Sequence, residues 1–374
     1  MTSHQFTIHN SQFTIHNSSV SSLQSPVSQS LSLSISPPLR SIDFVTARSE
    51  FYEQPSALPQ VERGSIKLDL HRRDFTINTL AIRLDGAHLG ELFDFYGGQR
   101  DLQDGIIRVL HSLSFIDDPT RILRAVRFEQ RLGFTIEPRT LELVAAALPM
   151  LDRVSGERIR HEMELSLREA DPNKLLQRLD ELNILAQLHP QLTWKPELKE
   201  ALDRLAVLLQ EPAWQETLQG DTVAPVYFIA WLALFPIEVQ TMVMERIRAR
   251  QTTQEDTRAV RSILTDLAAL PDTAIPSMIA KLLRPHDNRP RVFLVALSLA
   301  QNENAAAAIR AYFFHYRYIR THITGHTLRQ MGLKPGPAFA LILDGLLSAR
   351  LDGLLSTPED EQAWLVNWLS LNPP

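Results

Sequence analysis

Apolar and polar positions change their spacing along this chain. From residue 41 to about residue 110 they form short runs broken by glycine and proline, and beyond about residue 115 they recur at helical spacing. SIDFVTAR (41–48) predicts a strand, with Ile42, Phe44 and Thr46 on one face and Asp43 and Val45 on the other. Residues 56–64 read as a loop bounded by Pro and Gly. In DLHRRDFTINTLAIRL (69–84), Arg72, Arg73 and Asp74 stand immediately before an apolar run. GELFDFYGGQRDL (90–102) predicts a strand ending in a Gly-Gly turn, and 106–110 a short apolar strand or turn.

The strongest pattern is FIDDPTRILRAVRFEQRLGF (115–134). Arginines at 121, 124, 127 and 131 fall on one side of a helix, while Ile122, Leu123 and Val126 point away from them. Asp118 suits an N-cap, and Pro119 suits the first helical position, where its missing N–H costs nothing. Ser155 suits the cap of a second helix carrying Ile159, Met163 and Leu167 on one stripe. Core-forming helices follow at 175–188, 200–209, 226–235 and 277–283. Gly332–Pro337 is a turn opening a final helix pair. Strands mixed with helices, then helices alone, predict an α+β head followed by an all-α remainder.

Composition adds limits. The 374 residues carry a formal charge of −5, so any nucleic-acid contact must come from local basic patches. The absence of cysteine rules out a disulfide framework and suits a reducing cytoplasm. No apolar run approaches the length of a membrane span, so no membrane association is expected. The first forty residues stand apart: QFTIHN occurs at 5–10 and again at 12–17, followed by a tract of Ser, Gln, Val, Leu and Pro. This reads as a disordered segment without the basic and apolar regions of a signal peptide. A repeat of that kind also arises when non-coding DNA is translated, so a misplaced start is a second expectation.

RRDFTIN (72–78), FDFYGGQRDL (93–102) and DDPTRILRAVRFEQRLGF (117–134), in this order and spacing, resemble the tRNA nucleotidyltransferase/poly(A) polymerase family of the bacterial CCA-adding type. GHTLRQMGLKPGP (325–337) resembles the family's helical tail more weakly. The resemblance implies part of a polymerase-β-like nucleotidyltransferase head with a mixed sheet at 41–112. It implies a nucleotide-selecting, RNA-binding neck at 113–172, and a helical body and tail at 173–374. It further implies CTP and ATP as substrates, Mg2+ as cofactor and a tRNA acceptor end as partner.

By the same resemblance, Asp43 is the catalytic, metal-binding carboxylate of a late head strand. Arg72, Arg73, Asp74 and Asn78 become the ribose and triphosphate motif, since arginine forks match phosphate oxygens. Asp117, Asp118 and Arg121 become the base-selecting group, with Arg124 and Arg127 supporting or facing phosphate. Asp118 only accepts and Arg121 only donates, a pattern that pairs with C or A and leaves U and G mismatched. Asp117 stands where the family commonly has Glu, which leaves C-adding, A-adding and complete CCA-adding types open. The family's Asp-x-Asp metal pair is not in these 374 residues, and Gly97-Gly98-Gln99-Arg100-Asp101 only mimics its glycine motif. The expected function is therefore nucleotide addition to the tRNA 3′ end, impaired in the chain as written. The alternatives are an inactive RNA- or nucleotide-binding remnant, or a half-enzyme completed by another chain.

The residues also fit plainer readings. The 115–134 segment alone is a capped amphipathic helix with a solvated basic face. The aromatics of AYFFHYRYIR (311–320) suit a helical core better than RNA stacking. The arginine-only head and neck, with Lys67 the one lysine before residue 174, suits phosphate recognition and equally a GC-rich genome.

Overall fold

The computed structural model describes residues 45–51, 60–218, 223–271 and 273–372, so the predicted Asp43 and the repeat segment lie outside the described residues. The chain divides into two compact units, Met1–Arg121 with Leu132–Met150, and Ile122–Arg131 with Leu151–Pro374.

In the first unit, β1 (Arg48–Phe51) pairs antiparallel with β2 (Gln60–Arg63). The strand expected at 41–48 thus starts only at Arg48 among the described residues. The loop expected at 56–64 contains β2, whose QVER sequence carries no apolar run to announce it. α1 (Ile66–His71) follows, its Ser65 cap accepting from the Leu68 amide. A 3-10 turn spans Thr76–Thr79. β3 (Ala81–Ile82) and β4 (Leu92–Phe93) form a second antiparallel pair. The strand predicted at 90–102 is therefore two residues long. Asp94 ends it by accepting from the amides of Tyr96, Gly98 and Gln99, which opens α2 (Gly98–Asp104). β5 (Ile106–Ile107) runs parallel to β6 (Thr135–Ile136). α4 (Thr120–Leu132) is the arginine-bearing helix expected to start after Asp118, and a short α3 (Ser114–Asp117), not expected from the sequence, precedes it with a break at Asp118. α5 (Pro138–Ala147) closes the unit. The head is α+β as expected, though its described sheet consists of three two-stranded pairs. Leu70, Phe75, Ile107, Phe115, Ile136 and Val144 are among its buried apolar side chains. Each contributes about 1.5–3 kcal/mol relative to exposure.

The Gly97-Gly98 pair serves packing. Gly97 has φ 75°, the left-handed region that glycine occupies cheaply. A Cβ on Gly98 would lie 2.3 Å from the Thr76 carbonyl oxygen, so α2 meets the 76–79 turn only through a glycine.

The second unit is helical. α6 (Gly156–Ser166) starts at its Ser155 cap, as the sequence predicts, and α7 (Pro172–Glu181) at Asp171. Pro138, Pro172, Pro196, Pro276, Pro290, Pro337 and Pro358 each open a helix, the position where proline's fixed φ helps and its missing donor is harmless. The apolar helix Val223–Ala233 is buried on nearly every side. Tyr312 and Phe313 are core residues, in line with the plainer reading of the aromatic stretch, and Tyr318 is exposed. The tail helices Gly325–Gln330, Pro337–Leu351 and Pro358–Leu371 share a core of Ile323, Leu328, Ile342, Leu346 and Leu365. Among the described residues, no helix is long and apolar enough to cross a membrane.

Gly98→Ala is expected to destabilise the chain by about 1–3 kcal/mol, because the methyl group must displace a backbone carbonyl. Gly97→Ala, with open space around it, should cost about 1 kcal/mol through its φ alone. Thermal unfolding followed by circular dichroism ranks the two, and equal losses would show that the close approach at Gly98 is unimportant.

Candidate functional site

The RRDFTIN motif emerges from the C-terminus of α1 and turns back through the 3-10 turn. Asp69 organises it. This carboxylate is 3% exposed. It accepts from Arg72 Nε at 3.1 Å, Arg72 Nη2 at 2.9 Å, Arg73 Nη2 at 3.3 Å and the Arg48 amide at 3.2 Å. Burial alone would raise its pKa. The Arg72 hydrogen bond, the Arg48 amide and the charges of Arg72 and Arg73 outweigh burial and hold it below the usual aspartate value. The second arm of Arg73 donates to the Asn78 carbonyl at 3.3 Å, and its Nε is buried with no hydrogen-bond partner among the described residues. Asp74 accepts from the Phe75 amide and, at 2.8 Å, from Asn78 Nδ2. The motif's polar side chains therefore brace one another.

The far side of the turn is fixed by a second chain of polar contacts. Thr76 Oγ1 donates to the buried Asp101 at 2.6 Å, and Asp101 accepts from Arg108 Nε. Arg108 Nη1 reaches Glu137, which also accepts from Thr140 at the start of α5. The Asp101 hydrogen bond raises the Arg108 pKa further, so the guanidinium stays charged.

At the start of α4, Asp118 Oδ1 accepts from the Thr120 amide at 3.0 Å and the Thr120 hydroxyl at 2.7 Å, the capping role predicted for it. Arg121 is 6% exposed and donates from Nη1 to Ser114 Oγ and from Nη2 to the Arg72 carbonyl, both at 2.7 Å. It thus joins the first turn of α4 to the RRDFTIN motif. Asp117 lies 4.0 Å from His111 Nε2. Burial is the main cause holding the His111 pKa below the usual histidine value. Asp117 pulls the other way, while Arg121 and His71 reinforce the lowering, so the pair is not an ion pair at neutral pH.

Within the second unit, Arg124 and Arg127 both face Glu162, at 3.6 and 3.4 Å, and lie over the Phe128 ring. Glu129 holds Arg178 Nε at 2.7 Å. The basic stripe is therefore not the solvated face that the plainer reading expects: Arg121 and Arg127 are buried, and Arg131 is exposed.

The structure brings Arg72, Arg73, Asp74, Asn78, Asp118 and Arg121 together in the first unit. Asp117 stands beside His111. Sequence reasoning missed Asp69, Ser114, Asp101, Arg108 and Glu162. Asp69 was within reach, since it precedes Arg72 and Arg73 by one helical turn. Among the described residues, no group of three or more His, Asp or Glu side chains could hold a metal ion.

The first unit is thus an α+β fold whose arginine-rich turn is tied to the start of a helix, and the second is all-helical. Residues 15–108 match the family described as "Poly A polymerase head domain", a match that begins within the first forty residues. Residues 133–195 match "Probable RNA and SrmB-binding site of polymerase A". The A-adding tRNA nucleotidyltransferase of Geobacter sulfurreducens is 38% identical over 337 residues, 86% of this chain and 37% of that protein. That of Halalkalibacterium halodurans is 33% identical over 329 residues, 86% of this chain and 72% of that protein. A solved CCA-adding enzyme in an apo form has a TM-score of 0.75 at 32% identity, covering 88% of this chain and 77% of the other. The chain belongs to the tRNA nucleotidyltransferase/poly(A) polymerase family.

Asp69→Asn is expected to lower stability at neutral pH by about 3 kcal/mol, the cost of leaving two half-buried arginines without their buried carboxylate. The folded-state pKa is depressed, so the native contribution is complete above the unfolded value near 4 and fades as pH falls through the lower folded value. Urea unfolding from pH 7 to pH 2 should show the native and variant curves converging at the acid end. Parallel curves would mean that Asp69 does not carry this contribution.

Proposed function

We propose that this chain selects CTP or ATP at the first turn of α4 and serves the addition of C or A to the 3′ end of tRNA by magnesium-dependent nucleotidyl transfer. The observation that carries the reading is the Arg121 guanidinium, buried and hydrogen-bonded to the carbonyl of Arg72. It links the residues assigned to the base with those assigned to ribose and triphosphate.

In this reading, Asp118 accepts from the exocyclic amine of cytosine or adenine, and Arg121 donates to the adjacent ring nitrogen. The contacts with Thr120 fix the carboxylate, and Ser114 and Arg72 fix the guanidinium. Uracil and guanine place an oxygen opposite the carboxylate, leaving unpaired groups at about 1–3 kcal/mol each. The triphosphate meets Arg72 and Arg73, whose shared partner Asp69 holds both guanidinium groups in place. Relatives named as A-adding make ATP the first nucleotide to test.

Mg2+ would supply charge neutralisation at the transferring phosphate. The described residues offer no acidic cluster to hold it, and Asp43 lies outside them, so no step is assigned to the ion.

Calorimetric titration with the four nucleoside triphosphates is expected to show preference for ATP and CTP over UTP and GTP. Asp118→Ala should reduce that preference about tenfold, matching loss of one charge-assisted hydrogen bond. Unchanged discrimination would refute the pairing. Incubation with Mg2+, ATP, CTP and tRNA lacking its 3′ end tests the transfer step: incorporation of labelled AMP or CMP supports it, and nucleotide binding without incorporation overturns it.

A further inference from the structure

Ser114 has no obvious place in a nucleotide site: it is fully buried, uncharged and absent from the recognisable motifs. Its contacts say otherwise. The hydroxyl accepts from Arg121 Nη1 at 2.7 Å, and the main-chain carbonyl of the same residue accepts from the Asp118 amide at 3.2 Å. One residue therefore touches both members of the pair assigned to base reading, the arginine through its side chain and the aspartate through its backbone. The Arg121 amide in turn donates to the Asp118 carbonyl at 3.1 Å.

We propose that Ser114 is a positioning residue for base selection, setting the plane of the Arg121 guanidinium. This rests on the reading of Arg121 as a base-reading group. A guanidinium is planar and its N–H directions are rigidly related, so two anchors on different nitrogens fix the direction of the remaining donors. The anchors are Ser114 Oγ on Nη1 and the Arg72 carbonyl on Nη2. With the Arg72 anchor alone, the group can swing about a single hydrogen bond. Its donors then no longer discriminate a ring nitrogen acceptor from a ring N–H. Removing the hydroxyl leaves the contact between the Ser114 carbonyl and the Asp118 amide intact, so the effect falls on the arginine alone.

The test compares Ser114→Ala, Ser114→Cys and Arg121→Ala with the native chain by titration with ATP, CTP, UTP, GTP and inorganic tripolyphosphate. Thermal unfolding is measured alongside. Ser114→Ala is expected to lower the preference for ATP and CTP over UTP and GTP about tenfold. Tripolyphosphate affinity, which reports on Arg72 and Arg73, should stay unchanged. Ser114→Cys, which keeps the shape with a somewhat larger atom and a weaker acceptor, should fall between. It also carries the comparison if Ser114→Ala does not unfold cooperatively. Loss of discrimination in Arg121→Ala with none in the Ser114 variants overturns the proposal and leaves the base-reading role standing. Equal loss for all nucleotides and tripolyphosphate also overturns it, since that is the mark of a general structural role. Discrimination unchanged in Arg121→Ala removes the base-reading role itself, and the proposal with it.

Discussion

Buried carboxylates that hold arginine forks are the interaction on which this structure depends. Asp69 holds Arg72 and Arg73, Asp101 holds Arg108, and Glu162 faces Arg124 and Arg127. Asp256 holds Arg289 and Arg291, and Glu361 holds Arg350. Taking such ions out of water costs several kcal/mol each, which only good geometry and filled hydrogen bonds offset. Glu361 shows the requirement met: it is fully buried and accepts from the amides of His322 and Ile323 as well as from Arg350. Lysine gathers its three donors on one nitrogen, so it cannot hold two separated acceptors with the rigid, spread fork of Arg121 or Arg108. The near absence of lysine from the head and neck thus has a physical use, whatever the genome's base composition.

For the proposed nucleotide site, this means that the charged groups are oriented before any ligand arrives. Arg73 spends one arm on Asp69 and the other on the Asn78 carbonyl, Asp74 is tied to Asn78, and Arg121 is held at both ends. Such preorganisation keeps the ordering cost of binding low. It also means that much of the motif's polarity is directed inward, where a reading by residue type alone assigns every donor to the ligand.

The sequence made the helices legible because their signals are local. Ser155 caps where a serine before an apolar stripe should, prolines open helices, and the Asp118 cap marks the start of α4. The strands were less legible. β3 and β4 are two residues each, and β2 has no apolar face to betray it. The residues of the candidate site stood out in the sequence, but the partners that the structure gives them did not. Arginines at helical spacing look the same whether water or Glu162 faces them, and Glu162 lies far along the chain on another helix. Ser114 gave no signal at all, since the break at Asp118–Pro119 interrupts the helical period between it and Arg121.

That break also has a consequence for how the segment can change over generations. Ser114 reaches Arg121 through its hydroxyl and Asp118 through its carbonyl, across one turn of α3 and one of α4. Adding a single residue inside α4 ahead of Arg121 would turn its side chain by about 100° away from both its anchors. A change of length there would therefore disturb the pair more than an exchange of a neighbouring side chain.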